Sequence, residues 1–311
     1  MRGKVLITGG FGNLGSWITI YLASIGYEVY ILTREKKYVF ENIKYNVIEC
    51  DITNLDELRK NLDFEIDFCV HCASYNEFFF ENYSKQALEI NTLGTRNLLE
   101  SLNLKKLKNF IYFSTFHVYG GLSGVINESS PLNPKNDYAS THLFAEYYVK
   151  QFSFTHNLKY TIFRLTNSYG APTFADTSKW YLVLNDLVKS AFRNKEIIIK
   201  SNGQAKRDFI WMGDVVKVVE KVLEKPATND TYNLSSSNIY SVLELAKKVQ
   251  RIYKDRYEQN INIQINPNDM TIYDELLVEN KKLKNLINFK LVDRTDNEID
   301  KIFSLLEGKS K

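Results

Sequence analysis

Apolar residues along the first half of the chain alternate between short β-branched runs and longer stretches with helical spacing. Each short run is bounded by polar or glycine residues, and each longer stretch has apolar positions three and four residues apart. This alternation is typical of a parallel sheet with helices on both faces. The predicted strands are 4–8, 28–32, 46–50, 68–72, 109–114 and 160–165, and the longest predicted helices are 85–102 and 138–154.

Beyond residue 170 the pattern becomes less regular. Helices are predicted at 181–194, 214–224 and 242–253, strands at 197–200, 209–212 and 232–234, and the C-terminal residues are polar and weakly periodic. We therefore predict an α/β fold: a Rossmann-type, doubly wound parallel sheet and a smaller, interleaved C-terminal substrate lobe. The first comprises 1–170 with about 208–236, and the second about 171–207 and 237–311. Ligands bind beyond the carboxyl ends of the strands in such sheets.

The first strand runs into the glycine-rich segment Gly9-Gly10-Phe11-Gly12-Asn13-Leu14-Gly15, and a predicted helix follows directly. A helix N-terminus offers free N–H groups and a positive dipole end, and glycines let the backbone approach a pyrophosphate. We expect Gly10 and Gly12 to leave room for the phosphates and Gly15 to permit close helix packing. The flanking strands and helix favour a dinucleotide site over an ordinary loop.

Composition and charge limit the classes of function. The chain has 311 residues, of which 44% are hydrophobic, and this is enough for a large core. Its 40 basic and 37 acidic residues are interspersed, so we expect no nucleic-acid partner. No leading apolar segment and no apolar run of membrane-spanning length is present, so we expect a cytoplasmic protein without a membrane partner. Cys50, Cys69 and Cys72 are interpreted as buried free thiols, and no metal site is expected.

Eight short motifs occur in order along nearly the whole chain. They are the glycine loop, CDIT (50–53), HCAS (71–74), NTLGT (91–95), FSTFHVYG (113–120), YASTH (138–142), RLTNSYG (164–170) and RDFI (207–210). In this order they resemble the extended branch of the short-chain dehydrogenase/reductase superfamily, whose members mostly modify nucleotide-linked sugars. The resemblance implies a nicotinamide dinucleotide cofactor and a nucleotide-sugar substrate.

The resemblance also implies roles for individual residues. Tyr138 would act as the base on the sugar hydroxyl, with Thr115 bound to the same oxygen, and Asn167 and Arg207 would hold the diphosphate and nucleotide of the substrate. To act as a base near neutral pH, a tyrosine needs its pKa lowered from ~10 by roughly 3 units, so cationic surroundings are required. The implied cofactor residues are Gly9, Gly10, Phe11, Gly12, Asn13, Leu14, Gly15, Thr33, Arg34, Asp51, Ile52, Ala73, Asn91, Ser114, Tyr138 and His142.

One position departs from the family's pattern. Relatives have lysine four residues after the tyrosine, whereas this chain has His142. Positions i and i+4 share a helix face, so we expect His142 beside Tyr138, and with a reference pKa of ~6.5 it would be mostly neutral at pH 7. Two interpretations stay open. The site works with the nicotinamide charge activating Tyr138, or the protein binds its ligands and turns over poorly.

His117 is a second catalytic candidate. It follows Thr115 by two residues, and strand alternation places both side chains on one side. A structural histidine is the equal alternative. His71 and His156 are interpreted as structural.

Several reactions are compatible with these residues. Relatives that catalyse 4,6-dehydration place an Asp-Glu pair directly after the position of Thr115, where this chain has Phe116 and His117, so we do not expect dehydration. The predicted reaction is oxidation of a sugar C4 hydroxyl to a 4-keto sugar, with 4-epimerisation or 4-ketoreduction as alternatives. An alternative from a different functional class is a catalytically weak dinucleotide-binding or scaffold protein, which the absence of the family's lysine supports.

The resemblance extends to cofactor, substrate and assembly. Thr33 and Arg34 favour NADP, but C4-oxidising relatives usually retain NAD, so NAD is preferred. The Lys-, Asn- and Ile-rich composition is similar to that of enzymes that tailor capsular heptoses carried on GDP, so a GDP-sugar and capsule polysaccharide biosynthesis are expected. Relatives pair their two long helices in a homodimer. Candidates for that interface, or for packing on the sheet, are Leu88, Leu98, Leu99, Leu143, Tyr147 and Phe152.

Overall fold

The computed structural model, which describes residues 2–76, 83–121 and 123–308, alternates strands and helices. The strands are β1 (Lys4–Thr8), β2 (Glu28–Thr33), β3 (Asn46–Glu49), β4 (Phe68–His71), β5 (Asn109–Thr115), β6 (Gly124–Ile126), β7 (Tyr160–Leu165), β8 (Asn167–Tyr169), β9 (Glu196–Ile199), β10 (Lys206–Trp211), β11 (Asp230–Leu234), β12 (Ile239–Ser241), β13 (Asn262–Ile265) and β14 (Leu276–Val278). The α-helices are α1 (Asn13–Ser24), α2 (Leu55–Asn61), α3 (Tyr83–Ala87), α4 (Gly94–Ser101), α5 (Asp137–His156), α6 (Val183–Asn194), α7 (Met212–Leu223), α8 (Val242–Tyr257), α9 (Lys281–Leu286) and α10 (Thr295–Leu306).

Seven parallel strands form the main sheet in the order β11-β7-β5-β4-β1-β2-β3. The order of the chain reverses at β1, which pairs with β2 on one side and β4 on the other. The connections therefore leave β1 and β4 in opposite directions and open a crevice at their carboxyl ends. This topology confirms the predicted Rossmann-type α/β fold.

Helices cover both faces of the main sheet. On one face α1 and α7 bury residues such as Ile18 and Val219 against Val5 of β1. On the other face α2, α4 and α5 bury residues such as Leu58 and Leu98. Each such side chain contributes about 1.5–3 kcal/mol of burial free energy. Because both faces are covered, the central strands read as continuous apolar runs in the sequence.

A separate apolar cluster joins α6, α8 and α10, with Leu187, Val249 and Ile302 buried in it. Strand β10, predicted as part of the main sheet, pairs instead with β8 and β12 in a three-stranded sheet. Helix α10 was not predicted, although Ile299, Ile302 and Phe303 recur at helical spacing in it. The division into domains stays a prediction, since Leu283 and Ile287 of the C-terminal segment pack with the core of the main sheet.

The predicted helix 85–102 consists of three pieces. Helix α3 is followed by a π-helical segment, Leu88–Leu93, and then by α4. The widened turn carries Asn91, whose amide nitrogen donates to the Tyr75 carbonyl and to Thr141 Oγ1, both at 3.0 Å. The amide oxygen of Asn91 accepts from the Tyr75 N–H at 2.6 Å. These hydrogen bonds of Asn91 therefore fix the backbone at Tyr75, shortly after the end of β4.

The residues considered for a dimer interface divide into two groups. Leu98, Leu99, Leu143 and Phe152 are buried, so these four face the interior of the molecule. Leu88 and Tyr147 are 43% and 53% exposed. Leu93 and Phe144, which the sequence analysis did not select, are also exposed on the same two helical segments. The homodimer itself stays a prediction.

The three cysteines are free thiols; Cys50 and Cys69 are buried and Cys72 is partly buried. Within residues 2–76, 83–121 and 123–308, no helix has both the length and the apolar character needed to span a bilayer. The same part of the chain contains no group of three or more His, Cys, Asp or Glu side chains placed to hold a metal ion.

Candidate active site

A cavity of about 830 Å³ lies at the carboxyl ends of β1, β4 and β5, at the reversal in strand order. Its volume is in the range of sites that enclose large organic ligands. The glycine loop and the strand ends form one side. Residues between β8 and the end of α6, including Lys179 and Asn185, form the other.

The glycine loop packs too tightly for larger residues. Gly9 has a φ of +66°, and a Cβ on Gly15 would lie 2.1 Å from the carbonyl oxygen of Gly9. Gly15 therefore has the packing role predicted for it. Gly12 lines the cavity and caps α1 without a side chain, which leaves the first N–H groups of the helix for a ligand.

Most of the predicted cofactor residues line the cavity. They are Gly9, Gly12, Asn13, Leu14, Gly15, Thr33, Arg34, Ile52, Ala73, Ser114, Tyr138 and His142. Glycine backbone, a free helix N-terminus and the cation of Arg34 are features that fit a dinucleotide.

Gly10, Phe11, Asp51 and Asn91 lie outside the cavity wall. A Cβ on Gly10 would meet Ile31 at 2.9 Å, so Gly10 serves core packing, and the expectation that it makes room for phosphate is wrong. Phe11 packs on aromatic side chains of the core. The Asp51 carboxylate accepts hydrogen bonds from the N–H and the hydroxyl of Thr53, both at 2.8 Å. The Asn91 side chain is hydrogen-bonded to the backbone of Tyr75.

Tyr138 and Thr115 meet at the cavity wall. Thr115 ends β5, and Tyr138 lies in the first turn of α5, whose N-terminus is capped by Asn136 accepting from the Ala139 N–H at 2.8 Å. Burial raises the pKa of Tyr138 above its ordinary value, and a hydrogen bond with Thr115 opposes this by lowering the pKa. The protein alone therefore leaves Tyr138 protonated at neutral pH.

His142 is held between two hydroxyl groups. Its Nδ1 lies 2.8 Å from the Tyr112 hydroxyl and its Nε2 lies 3.0 Å from Ser74 Oγ. The ring is 4.6 Å from that of Tyr138, centroid to centroid, as the shared helix face predicts. Burial lowers the pKa of His142 to about 4, although the charge of Glu146 opposes the shift. His142 is therefore neutral at pH 7 and supplies no cation to Tyr138.

His117 has the opposite environment. Within the part of the chain that the structure describes, neither ring nitrogen has a hydrogen-bond partner, and the side chain lines the cavity. Its ring lies 6.2 Å from that of Tyr138. Burial, together with the charge of Arg207, lowers the pKa of His117 to about 4, so the imidazole is neutral.

The other two histidines fit the structural interpretation. His71 is buried between the hydroxyls of Thr8 and Thr95, at 2.6 and 2.9 Å. His156 lies at the exposed end of α5, with Nδ1 2.6 Å from Thr155 Oγ1.

The substrate side of the cavity is held by β8 and β10. Their parallel pairing places Asn167 opposite Phe209, and the Asn167 amide donates to the Asp208 carbonyl at 3.0 Å. Arg207, two residues earlier on β10, reaches the same cavity. Both predicted substrate residues are thus brought together.

The sequence analysis missed Ser74, Tyr112 and Lys179. Lys179 lines the cavity and donates to Asn76 Oδ1 at 2.6 Å. Ser74 follows β4 directly, so the rule that chemistry follows strand ends was the available signal. Together with Arg34 and Arg207, Lys179 makes the cavity cationic, and no carboxyl group lines it among residues 2–76, 83–121 and 123–308. Such a cavity suits ligands that carry diphosphates.

A buried ion pair supports the site from behind. The Arg164 guanidinium donates to both carboxylate oxygens of Glu146, at 3.0 and 2.7 Å, and Ser114 Oγ donates to the same carboxylate at 2.7 Å. Burial would raise the pKa of Glu146, but Arg164 holds it below its ordinary value. Glu146 follows His142 by one turn of α5, so the pair fixes the helix that carries both Tyr138 and His142.

Known proteins share this architecture. A UDP-N-acetylglucosamine 4-epimerase from Methanobrevibacter ruminantium, in complex with UDP-N-acetylmuramic acid, superposes with a TM-score of 0.84 at 20% identity, covering 99% of both chains. A UDP-glucuronic acid 4-epimerase from Bacillus cereus, in complex with UDP-glucuronic acid and NAD, superposes with a TM-score of 0.81 at 22% identity, covering 97% and 99%. At these identities the likeness shows the fold.

A relative in sequence points to another reaction. A protein of Dictyostelium discoideum named dTDP-D-glucose 4,6-dehydratase is 31% identical over 280 residues, which is 80% of this chain and 62% of the relative. The chain thus spans less than two thirds of that relative's length. The expectation that dehydration does not occur is not supported by this likeness, and dehydration stays among the reactions to be tested.

The family itself is identified over most of the chain. Residues 5–235 match a family that is described as NAD dependent, which confirms the predicted cofactor. The chain therefore belongs to the NAD dependent epimerase/dehydratase family.

Proposed function

We propose that the protein oxidises the C4 hydroxyl of a nucleotide-linked sugar to a ketone, with Tyr138 taking the hydroxyl proton. The position of Tyr138 and Thr115 on the wall of a cavity that also contains the glycine loop carries this proposal. Both hydroxyls can bind one sugar oxygen, so Thr115 orients the group that Tyr138 deprotonates. C4 oxidation is the step that dehydrogenation and 4-epimerisation share.

The chain's own residues supply binding and orientation. The backbone of Gly9 and Gly12 and the N-terminus of α1 would hold the pyrophosphate of NAD, and Arg34 its adenosine end. Asn167, Arg207 and Lys179 would hold the sugar nucleotide. Bound NAD supplies the hydride acceptor and a positive charge on its nicotinamide ring.

That positive charge matters because the cavity offers Tyr138 little other help. Burial raises the pKa of Tyr138, and His142 is neutral. The partial positive charge at the N-terminus of α5 and the bound cofactor are the remaining sources of activation. This arrangement favours a working but altered site over a catalytically weak scaffold, because a scaffold needs no paired Tyr138 and Thr115.

After C4 oxidation, we propose that the protein releases the 4-keto sugar. The alternative is 4-epimerisation, which the names of the similar solved structures favour. The proposed nucleotide is GDP. UDP- and dTDP-linked sugars are included in the experiment below, because similar proteins are named for these sugars. We also retain the predictions of a homodimer, of a cytoplasmic location and of a role in capsule polysaccharide biosynthesis.

The test is to incubate the protein with NAD and a panel of sugar nucleotides: GDP-mannose, UDP-glucose, UDP-N-acetylglucosamine, UDP-glucuronic acid and dTDP-glucose. NADH absorbance reports oxidation. Mass spectrometry and NMR separate loss of two hydrogens, loss of water and inversion at C4. Tyr138→Phe should lose at least about 100-fold of the oxidation rate while retaining NAD binding.

Equal rates in Tyr138→Phe and the wild-type protein would contradict the role of Tyr138. Loss of water as the main product would identify the protein as a dehydratase. No oxidation or inversion with any sugar of the panel would overturn the proposed function.

A further inference from the structure

We propose that Ser74 donates a hydrogen bond to the ribose beside the nicotinamide of NAD, and that Tyr112 and His142 orient its hydroxyl for this contact. Ser74 is thus a cofactor-binding residue, and the other two are positioning residues. The assignment rests on the proposed function in one respect, because the role proposed for Tyr138 locates the nicotinamide end of the cofactor.

The surroundings of His142 determine which of its ring nitrogens carries the hydrogen. Burial keeps the ring neutral at pH 7, so it has one N–H and one acceptor nitrogen. The Tyr112 hydroxyl is buried, and within residues 2–76, 83–121 and 123–308 its one hydrogen-bond partner is His142 Nδ1, at 2.8 Å. Tyr112 donates this bond, because its hydrogen would otherwise be buried without an acceptor. Nδ1 is therefore the acceptor, and Nε2 carries the hydrogen.

Ser74 accepts the next hydrogen bond of this chain. His142 Nε2 lies 3.0 Å from Ser74 Oγ, so the Nε2–H group donates to that oxygen. Ser74 cannot donate its own hydrogen to a nitrogen that already carries one. The part of the chain that the structure describes offers the Ser74 hydroxyl no second partner, and the side chain is exposed on the cavity wall. The hydroxyl hydrogen of Ser74 is therefore left for a ligand.

Ser74 lies between the two features that locate the cofactor. It follows Ala73, whose Cα lies 3.0 Å from the position that a Cβ on Gly9 would take, so Ser74 adjoins the glycine loop. On its other side, the His142 ring lies 4.6 Å from that of Tyr138. The glycine loop would hold the pyrophosphate, and the nicotinamide must lie beside Tyr138 to accept hydride from C4. In NAD a ribose joins these two groups, and its hydroxyl oxygens accept hydrogen bonds.

The arrangement also shows what replaces the lysine of the relatives. A lysine at the position of His142 would bring N–H donors together with a permanent charge. In this chain the donor is the hydroxyl of Ser74, and His142 holds it as a neutral ring. The cofactor thus gains a hydrogen bond, whereas Tyr138 gains no cation from this position.

The first experiment compares the binding of NAD with that of ADP, which lacks the nicotinamide and its ribose, by titration calorimetry of the nucleotide-free protein. Ser74→Ala should weaken NAD binding by about 3- to 10-fold, the effect of one hydrogen bond, and should leave ADP binding unchanged. The matched control is Ser129→Ala, which removes an exposed hydroxyl outside the cavity and should change neither affinity.

Unchanged NAD affinity in Ser74→Ala, or an equal loss of affinity for NAD and ADP, overturns the contact between Ser74 and the ribose. Binding is measured without a sugar nucleotide, so its result is independent of turnover. A selective loss of NAD affinity together with no oxidation in the sugar panel would overturn the proposed function and leave the role of Ser74 intact.

The second experiment measures the direction of the hydrogen bonds. ¹⁵N NMR of nucleotide-free protein labelled in its histidines distinguishes a ring nitrogen that carries hydrogen from one that does not, and His142→Gln identifies the resonances of His142. At pH 7 the hydrogen should lie on Nε2. A hydrogen on Nδ1, or a charged ring, contradicts the orientation proposed for the Ser74 hydroxyl.

Discussion

Replacing His142 by lysine should lower the pH at which C4 oxidation reaches half of its maximal rate. The wild-type ring is neutral and lies between the Tyr112 hydroxyl and Ser74 Oγ, at 2.8 and 3.0 Å. Both oxygens can accept hydrogen bonds from an ammonium group. The cavity therefore already contains partners for the cation that His142→Lys introduces.

The size of the shift follows from the distance between the two side chains. The rings of His142 and Tyr138 are 4.6 Å apart, so the ammonium would lie about 6 Å from the phenol oxygen. At an effective dielectric constant of about 20, the charge stabilises the tyrosinate by about 3 kcal/mol, which lowers the pKa of Tyr138 by about 2 units. A lower pKa moves the acid limb of the rate profile to lower pH. At pH 7 the rate should rise by up to about 100-fold.

The assay is the initial rate of NADH formation across pH, at saturating NAD and sugar nucleotide. His142→Gln is the control, because glutamine can keep hydrogen bonds to the flanking hydroxyls without adding charge, and its profile should match the wild type. NAD affinity and melting temperature show whether the variants are folded. An unchanged acid limb in a folded His142→Lys that binds NAD would refute the reasoning.

Three further predictions concern stability and assembly. Arg164→Leu should cost about 3–5 kcal/mol of unfolding free energy, because it removes the buried partner of Glu146 and leaves only the partly exposed Lys150 at 3.4 Å, whereas Lys150→Met should cost less than about 1 kcal/mol; denaturant titration checks both. Tyr147→Glu, on the exposed face of α5, should convert a dimer to a monomer in light scattering, and a monomeric wild-type protein would contradict the dimer. Stability should fall as the pH drops below about 6.5, because burial lowers the pKa of His71 to about 3 and the pKa of His117 and of His142 to about 4, so that only the unfolded chain takes up these protons; each histidine contributes a loss of roughly 1.4 kcal/mol per pH unit above its folded pKa, and constant stability between pH 6.5 and 4 would contradict it.

The sequence predicted the main sheet because its strands are buried on both faces and read as continuous apolar runs. Most of the residues predicted for the site do line the cavity, and for a related reason, since many of them follow strand ends directly. Asn91 and Phe11 were misplaced, because a motif position does not show whether a side chain points to the cavity or into the core. The separate sheet of β10 depends on pairing between distant segments, which local periodicity does not record, whereas α10 has apolar residues at helical spacing that the sequence analysis overlooked.

His142 and His117 show what the sequence lacks. Both were predicted to face the cavity, and both are neutral imidazoles in the structure. Their difference lies in hydrogen-bond partners: the hydroxyls of Tyr112, within β5, and of Ser74, just after β4, lie within hydrogen-bond distance of the two nitrogens of His142, whereas the described residues provide no partner for the ring of His117. An imidazole whose nitrogens are both occupied can position its neighbours but cannot take a proton from substrate without losing one of those bonds. The hydrogen-bond partners therefore support a positioning role for His142, the residue that stands where relatives have lysine.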